Sequence, residues 1–292
     1  MKATERNLAH GLFLSGGLDT AILASLVPGL KAFTIRLESH GDDPKYAEVV
    51  ARQFNMEHHQ IVVNIDQALS AIPEVIRILK TFDPAIPNDL AIYFALKFAK
   101  DKGIKSIMTG DGGDELFAGY SYMFNLNLDD YIPRIVREMH FSSNELGKSL
   151  GIEIKQPYLD KEFIKFSLKV PQDLKVKAEN GKVWGKWILR KTFEGDLPYE
   201  VIWQDKRPIE YGSGFTNLRK VIESRISDRK FKEKKKGYGV RFINKEHLFY
   251  FEVYRSIFGD IPPPMGGEKK CPGCGAGMNK DALHCRVCGN NT

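Results

Sequence analysis

The chain has 292 residues, of which 42% are hydrophobic and 27% charged, a composition typical of soluble globular proteins with about two domains. It contains no apolar run of 18 or more residues and no hydrophobic signal segment at its amino terminus, so a membrane span and secretion are disfavoured and a cytoplasmic protein is predicted. The net charge of +6 favours anionic ligands such as nucleotides or nucleic acids, without requiring either.

Strand and helix patterns alternate through the first part of the chain. The apolar residues 11–14 predict a strand that leads through a Ser-Gly-Gly turn into a helix over 21–26. Further strands are predicted at 31–37, 59–63 and 106–109, and further helices at 44–54, 67–79 and 88–102. This order predicts an α/β fold with a parallel, doubly wound sheet whose ligands bind at the carboxyl ends of the strands.

The strand signals fade from about residue 120. Apolar spacings at 131–139, 160–168, 183–193 and 246–258 predict a helical subdomain packed on the sheet. The lysine-rich segment 230–236 is interpreted as a solvated loop or helix face. Prolines and glycines predict a linker at 262–268, which divides a main domain at 1–261 from a small module at 269–292.

The turn after the first strand has the features of an anion site. Gly16 and Gly17 leave the backbone bare at the positive end of a helix, and Ser15 and Thr20 add hydroxyl groups, although a purely structural turn would use the same glycines. Asp19 is unfavourable beside a bound polyanion unless a cation bridges the two. The chain has neither a Walker motif nor a G-x-G-x-x-G motif, which argues against γ-phosphate transfer and dinucleotide binding.

A second acidic turn follows the predicted strand at 106–109. The run 109–120, TGDGGDELFAGY, contains three acids and four glycines. Both turns are expected to open onto the same edge of the sheet. Asp19 and Asp114 are therefore predicted to share a Mg²⁺ ion held by pyrophosphate oxygens.

These motifs resemble those of N-type ATP pyrophosphatases, in particular the asparagine synthetases and β-lactam synthetase. The sequence SGGLDT at 15–20 is similar to the pyrophosphate motif, and 109–120 is similar to the synthetase signature. The segments 151–160 (GIEIKQPYLD), 186–190 (KWILR) and 197–214 follow in the family's order. Together they identify roughly residues 8–260 as the synthetase portion of this family.

The resemblance implies an ATP-pyrophosphatase type of fold and an AMP-forming carbon–nitrogen ligase. ATP would adenylate a small carboxylate, aspartate or a relative, with release of pyrophosphate, and ammonia or an amine would then displace AMP. The implied ATP- and pyrophosphate-binding residues are Ser15, Gly16, Gly17, Asp19, Thr20, Gly110, Phe13 and Ile35. Phe13 and Ile35 would flank the adenine, or else serve the core. Asp19 and Asp114 would hold Mg²⁺, and Lys206 and Asp111 would be catalytic, with Lys206 neutralising charge near the α-phosphate.

The chain departs from the family pattern at three points. Asp111 stands where these synthetases usually have Glu, an acid that takes part in or gates the amine attack, and Lys155 stands where they have Arg. No cysteine precedes Cys271, so the amidotransferase nucleophile of the glutamine-dependent members has no counterpart. Nitrogen is expected from free ammonia, a separate glutaminase subunit or an amine on the substrate, and glutamine alone is not expected to support turnover.

Two other functions stay open. An RNA-modifying adenylating enzyme is one, because other pyrophosphatases with an SGG-type turn activate tRNA bases and some carry zinc ribbons. The 109–120 motif argues against it. The second open function is that of a non-catalytic nucleotide-binding relative of the synthetases. The departures at Asp111 and Lys155 leave it open.

All four cysteines lie in one terminal cluster, Cys271, Cys274, Cys285 and Cys288. Two C-x-x-C pairs separated by ten residues predict a tetrahedral Zn²⁺ site in a minimal zinc ribbon. The basic side chains nearby leave nucleic acid open as a ligand, but the module has no aromatic stacking platform. A partner-docking or stabilising role is therefore favoured.

Overall fold

The computed structural model describes residues 1–38, 41, 43–179 and 181–291. Its strands are β1 (Gly11–Phe13), β2 (Lys31–Leu37), β3 (His58–Val63), β4 (Ser106–Met108), β5 (Glu153–Lys155), β6 (Val176–Glu179), β7 (Lys182–Gly185), β8 (Lys269–Lys270) and β9 (Gly277–Met278). The first eight helices are α1 (Lys2–Arg6), α2 (Leu18–Leu26), α3 (Asp43–Gln53), α4 (Ile65–Leu79), α5 (Ile86–Asp101), α6 (Gly113–Leu116), α7 (Leu128–Glu138) and α8 (Ser142–Leu150). The others are α9 (Lys161–Leu168), α10 (Gln172–Lys175), α11 (Trp187–Thr192), α12 (Tyr199–Ile202), α13 (Ile209–Gly212), α14 (Leu218–Ser224), α15 (Asp228–Gly237) and α16 (Lys245–Phe258).

The predicted parallel sheet is confirmed. Five strands lie in the order β3-β2-β1-β4-β5, and every neighbouring pair is parallel. The chain winds from β1 outward to β3 on one side and then crosses to β4 and β5 on the other. This change of direction opens a crevice at the carboxyl ends of β1 and β4, which is where doubly wound sheets bind their ligands.

Helices cover both faces of the sheet and give it two separate cores. Phe13, Phe33 and Ile35 point to the face that packs against α4 and α5, whereas Leu12 and Leu14 point to the face that packs against α2 and α3. Burial on both faces explains why the strands read as continuous apolar runs instead of alternating patterns. The alternation along β1 also fixes the direction in which the chain leaves the strand toward its glycine turn.

The region after residue 120 is mainly helical, as expected, but it also contains three short strands. β5 adds a parallel edge strand to the sheet, and residues 182–185 form β7, so the helix expected at 183–193 begins only at Trp187. β6 and β7 pair as an antiparallel hairpin around Gly181. Charged residues interrupt the apolar pattern of these three strands, although Asn-Gly between two runs is a hairpin signal.

The remaining helical segments follow the sequence pattern. The lysine-rich segment lies within α15, which is amphipathic only weakly and buries none of its residues, as a solvated helix face would. α7, α9 and α16 cover the other three predicted helical regions. None of the helices in the described ranges is long and apolar enough to cross a membrane.

The cysteine module packs on the main body of the chain. The Phe82 amide donates to the Val287 carbonyl oxygen at 2.8 Å, and the Arg241 amide donates to the Gly273 carbonyl oxygen at 2.7 Å. Three of the four cysteines are buried in the same apolar cluster as Phe82. The division at 262–268 stays a prediction, but the module beyond it shares the core of the body that precedes it.

Candidate active site and cysteine module

The first turn of the site joins β1 to α2. Gly16 has a left-handed backbone conformation with φ +74°, and a Cβ atom on it would lie 2.7 Å from the Asp43 carbonyl oxygen. The Thr20 hydroxyl donates to the Gly17 carbonyl oxygen at 3.2 Å and lies 3.2 Å from Ser15 Oγ. The turn is thereby held open at the N-terminus of α2, where the helix dipole favours an anion.

The second turn follows β4 and carries Asp114 on α6. It approaches the first turn so closely that a Cβ atom on Gly113 would lie 2.6 Å from Asp19 Oδ1. A Cβ atom on Gly119 would lie 1.8 Å from Asp114 Oδ1. Glycine is therefore required at both positions for a steric reason, because any larger residue would displace one of the carboxylates.

Two lysines and the two aspartates form a buried chain of ion pairs. Lys186 Nζ lies 2.5 Å from Asp19 Oδ2 and 2.6 Å from Asp114 Oδ1, and Lys206 Nζ lies 2.8 Å from Asp114 Oδ2. Asp19, Asp114 and Lys186 are each less than 10% exposed. The structure thus brings Asp19 and Asp114 to the same place, as the sequence predicts, with a lysine ammonium between them.

The charges of the side chains in this ion-pair network depend on one another. Burial disfavours the ionised form of Asp114, but Lys186 and Lys206 outweigh burial and hold its pKa at about 2. Burial raises the pKa of Asp19 more than Lys186 lowers it. The pKa of Glu115, next to Asp114, is raised to about 7 by burial and by the neighbouring charge. The site therefore combines a firmly ionised carboxylate with two acids that take up protons more readily.

The residues present fit the predicted magnesium ion. Asp19 Oδ1 is buried and has no hydrogen-bond partner among the described residues, so one carboxylate oxygen is left for a ligand. Carboxylate oxygens are the protein ligands that Mg²⁺ prefers, together with substrate phosphates. Asp19 therefore offers an oxygen to such an ion, whereas both oxygens of Asp114 lie against the ammonium groups of Lys186 and Lys206.

Asp111 is fixed by three hydrogen bonds instead of standing free. Its Oδ2 accepts from Thr109 Oγ1 and Ser143 Oγ at 2.7 Å each and from Gln156 Nε2 at 2.9 Å. These donors come from the turn itself, from α8 and from the residue after β5. The carboxylate is therefore oriented by the fold.

A cleft of about 490 Å³ opens beside the ion-pair chain. Phe13, Asp111 and Lys206 line it, together with the turn residues Ser15, Thr20 and Gly110. Ile35, the other predicted adenine neighbour, is 2% exposed and packs in the core on the face that Phe13 shares. Most of the predicted nucleotide-site residues thus line one cleft; Gly16, Gly17 and Ile35 do not.

Lys155 does not line the cleft. Its ammonium group pairs with Glu153 Oε1 at 2.6 Å on the edge strand β5, and it is absent from the residues that line the cleft. A lysine at this position is engaged by its own strand.

Sequence reasoning missed two residues of the site. It placed Lys186 in a family motif without a role, and it gave Asp89 none. Lys186 has a left-handed backbone conformation, φ 55°, which is costly for a non-glycine residue and holds its side chain under the two aspartates. Asp89 lines the cleft from α5 and is 6% exposed. The KWILR segment could have indicated Lys186. An acid within an apolar helix gave no comparable signal for Asp89.

The four cysteine sulfurs have the arrangement of a tetrahedral metal site. They all lie within 4.8 Å of one another, with Cys271 and Cys288 Sγ 3.7 Å apart and Cys274 and Cys285 Sγ 3.8 Å apart. Four thiolates at the usual zinc–sulfur distance of about 2.3 Å would be separated by about 3.8 Å. The donor set and its geometry therefore fit Zn²⁺.

Comparison with known proteins identifies the family. The profile of the asparagine synthase family matches residues 3–150 and 131–252, and the chain belongs to this family. It is 28% identical over 294 residues to asparagine synthetase B [glutamine-hydrolyzing] of Escherichia coli strain K12, a match that covers 90% of this chain and 52% of the relative. A probable asparagine synthetase [glutamine-hydrolyzing] of Dictyostelium discoideum is also 28% identical, with 88% of this chain and 52% of the relative covered. The chain spans about half the length of these relatives.

Among solved structures, the U34-tRNA thiolase NcsA of Methanococcus maripaludis, with its [4Fe-4S] cluster, matches 76% of this chain and 79% of its own. The TM-score is 0.32 and the sequence identity 12%. A likeness this distant carries no argument about function.

Replacing Lys186 with Met is expected to destabilise the fold strongly. It would leave two buried carboxylates without their shared cation, a change that typically costs about 3–5 kcal/mol. Urea unfolding at pH 7 measures the loss. Lys191→Met, on the same helix α11 but in solvent-exposed pairs with Glu179 and Glu194, is the control and should lose far less. Equal stability of the two variants would contradict the role of Lys186.

Replacing Asp89 with Asn is expected to stabilise the chain increasingly as pH rises. Burial raises the pKa of Asp89 to about 8, so between its ordinary pKa of 3.8 and that value the unfolded chain releases a proton that the folded chain retains. Wild-type stability is therefore lost over this window, by up to about 1.4 kcal/mol per pH unit, whereas Asn carries no such proton. Unfolding at pH 5, 6, 7 and 8 tests this. The exposed Asp101→Asn on α5 is the control, and a stability gap independent of pH would contradict the prediction.

Purified protein is expected to contain about one zinc ion per chain, measured by elemental analysis. Replacing Cys271 and Cys274 together with Ser should remove it and should also speed hydrogen exchange of the Phe82 amide, since that amide bonds to the module. Pro272→Ala, in the same loop, should keep the metal. Full zinc content in the double variant would contradict the assignment.

Proposed function

We propose that the chain is an ATP-dependent, AMP-forming ligase that adenylates a small carboxylate, aspartate or a relative, and transfers the acyl group to ammonia or an amine. The observation that carries the proposal is the buried chain Asp19–Lys186–Asp114–Lys206 at the carboxyl edge of β1 and β4. Membership of the asparagine synthase family supports the same chemistry. This function would place the protein in asparagine biosynthesis or in a related amide-forming step.

The turn residues supply the nucleotide site. The bare backbone of Ser15, Gly16 and Gly17 at the start of α2 would hold the pyrophosphate end of ATP, with the Thr20 hydroxyl beside it. Mg²⁺ held by Asp19 and Asp114 would neutralise charge on the phosphates of the departing pyrophosphate. Lys186 keeps the acid pair compensated before a nucleotide arrives.

Lys206 is the group that would act at the α-phosphate. Its ammonium is half-exposed to the cleft, pairs with Asp114 and lies 5.4 Å from the centre of the Tyr120 ring. Asp114 raises the pKa of Lys206 against the effect of burial, so the ammonium stays charged at pH 7. A fixed positive charge that needs no reorganisation stabilises the negative charge that builds up as the carboxylate attacks phosphorus.

The carboxylate and the amine would meet in the cleft beside Asp111. Its three hydrogen bonds hold the carboxylate in one orientation. Because Lys155 pairs with Glu153, recognition of the acid substrate would depend on Lys206 and the polar groups of the cleft wall. Aspartate is the first substrate to test.

The relatives are named as glutamine-hydrolysing enzymes, and the chain corresponds to about half of each. At this synthetase portion the proposed nitrogen donor is ammonia, free or released by a glutaminase, or an amine.

Asp19→Asn and Asp114→Asn are each expected to lower carboxylate-dependent ATP–pyrophosphate exchange by about 10³-fold or more, because each removes a magnesium ligand. The assay isolates adenylation and needs no amine. Asp228→Asn, on the exposed helix α15, is the control and should keep full exchange. Urea unfolding of each variant separates lost chemistry from lost fold. Exchange close to wild type in both site variants would reject the magnesium assignment.

The same assay separates the candidate functions. Exchange that depends on aspartate or another small acid supports the ligase, and exchange that depends on total tRNA supports an RNA-modifying enzyme. Nucleotide binding without exchange under any of these conditions would identify a non-catalytic relative.

A further inference from the structure

A second cavity lies next to the cleft, between the main body and the cysteine module. Its volume is about 610 Å³. One wall is formed by the end of α7 and the residues after it, and the other by the module, including Met278, Ala282 and Leu283. Cavities of this volume are typical of sites for small organic ligands.

The cavity adjoins the cleft that would hold the acyl-adenylate. Glu115, His140 and Phe141 line both spaces. Glu115 is anchored at this junction by the Tyr120 hydroxyl, which donates to its Oε1 at 3.2 Å. A molecule in the cavity therefore has one end next to the site of acyl transfer.

The lining has the chemistry of a site for an amine with an apolar body. Tyr131, Met139 and Leu283 supply apolar surface. Glu115, Glu138 and Glu268 are the carboxylates among the described residues of the lining. Arg286 is also there, and its guanidinium donates to the Glu138 carbonyl oxygen at 3.4 Å.

Ammonia does not account for this space. A water molecule, which is about as large as ammonia, takes up about 30 Å³ of liquid, a small fraction of the cavity. The volume and the lining together call for a larger molecule.

We propose that this cavity binds the acceptor of the reaction, a primary amine with an apolar or aromatic body, and presents its nitrogen to the cleft past Glu115. The inference rests on the proposed ligase function. In the transfer step the lone pair of the neutral amine forms the new carbon–nitrogen bond. The bond between the acyl carbon and the AMP oxygen breaks, and its electron pair leaves with AMP. The nitrogen gives up one proton to solvent water. The cysteine module thereby becomes part of the acceptor site.

Calorimetric titration of the full, zinc-loaded chain with phenethylamine tests the binding site directly. Phenethylamine is expected to bind about tenfold more tightly than 2-phenylethanol, which has the same body but no amine. Ala282→Trp fills the cavity from the module and Met139→Trp fills it from the body. Each should weaken binding by about tenfold or more, whereas Met265→Trp, an exposed residue outside the lining, should not.

Equal binding of the amine and the alcohol, or undiminished binding in both filled variants, overturns the inference. Use of ammonia with no binding of phenethylamine overturns it as well. Carboxylate-dependent pyrophosphate exchange on the same samples, without any amine, separates the two proposals. Exchange without phenethylamine binding rejects the acceptor site alone, whereas binding without exchange rejects the ligase function.

Discussion

The ammonium group of Lys186 bonds to two buried carboxylates, and most of the site is arranged around that contact. Asp19 belongs to the helix after β1 and Asp114 to the helix after β4, so the lysine ties together two turns from distant parts of the chain. Without it, two like charges would face each other in a poorly solvated space. The unfavourable backbone of Lys186 and the glycines opposite the carboxylates are consistent with a fold that tolerates local strain to keep this arrangement.

The same contact links architecture to chemistry. A doubly wound sheet brings the carboxyl ends of β1 and β4 side by side, and the charges then determine what can bind there. Asp114 stays ionised because two lysines surround it, Lys206 stays charged because Asp114 faces it, and Asp19 retains one oxygen without a partner. A polyanion accompanied by a divalent cation complements these four side chains. The cation supplies positive charge for the acids, and the polyanion supplies negative charge for the lysines.

Much of this could be predicted from the sequence. The alternation of strands and helices and the two glycine turns predicted the parallel sheet. The proximity of Asp19 and Asp114 followed from where parallel strands end. The positions of Lys186 and Asp89 did not follow. Lys186 reaches the aspartates from a hairpin and helix about 70 residues beyond Asp114, a tertiary arrangement that no local period encodes. β5, β6 and β7 escaped detection because charged residues interrupt their apolar pattern, unlike that of β1 and β4. The burial of Asp89 on α5 depends on which helices pack around it.

The cysteine module has a practical implication for work with this chain. Its sequence suggests an appendage behind a proline-rich connector, yet Val287 accepts a hydrogen bond from Phe82, and three cysteines lie against the aromatic cluster around that phenylalanine. A recombinant fragment trimmed at the connector would lose that acceptor and leave aromatic rings of the body open to water. Purification with strong chelators would threaten the same contacts. Supply of the zinc that the module is proposed to bind would therefore influence how much well-packed protein a cell can make.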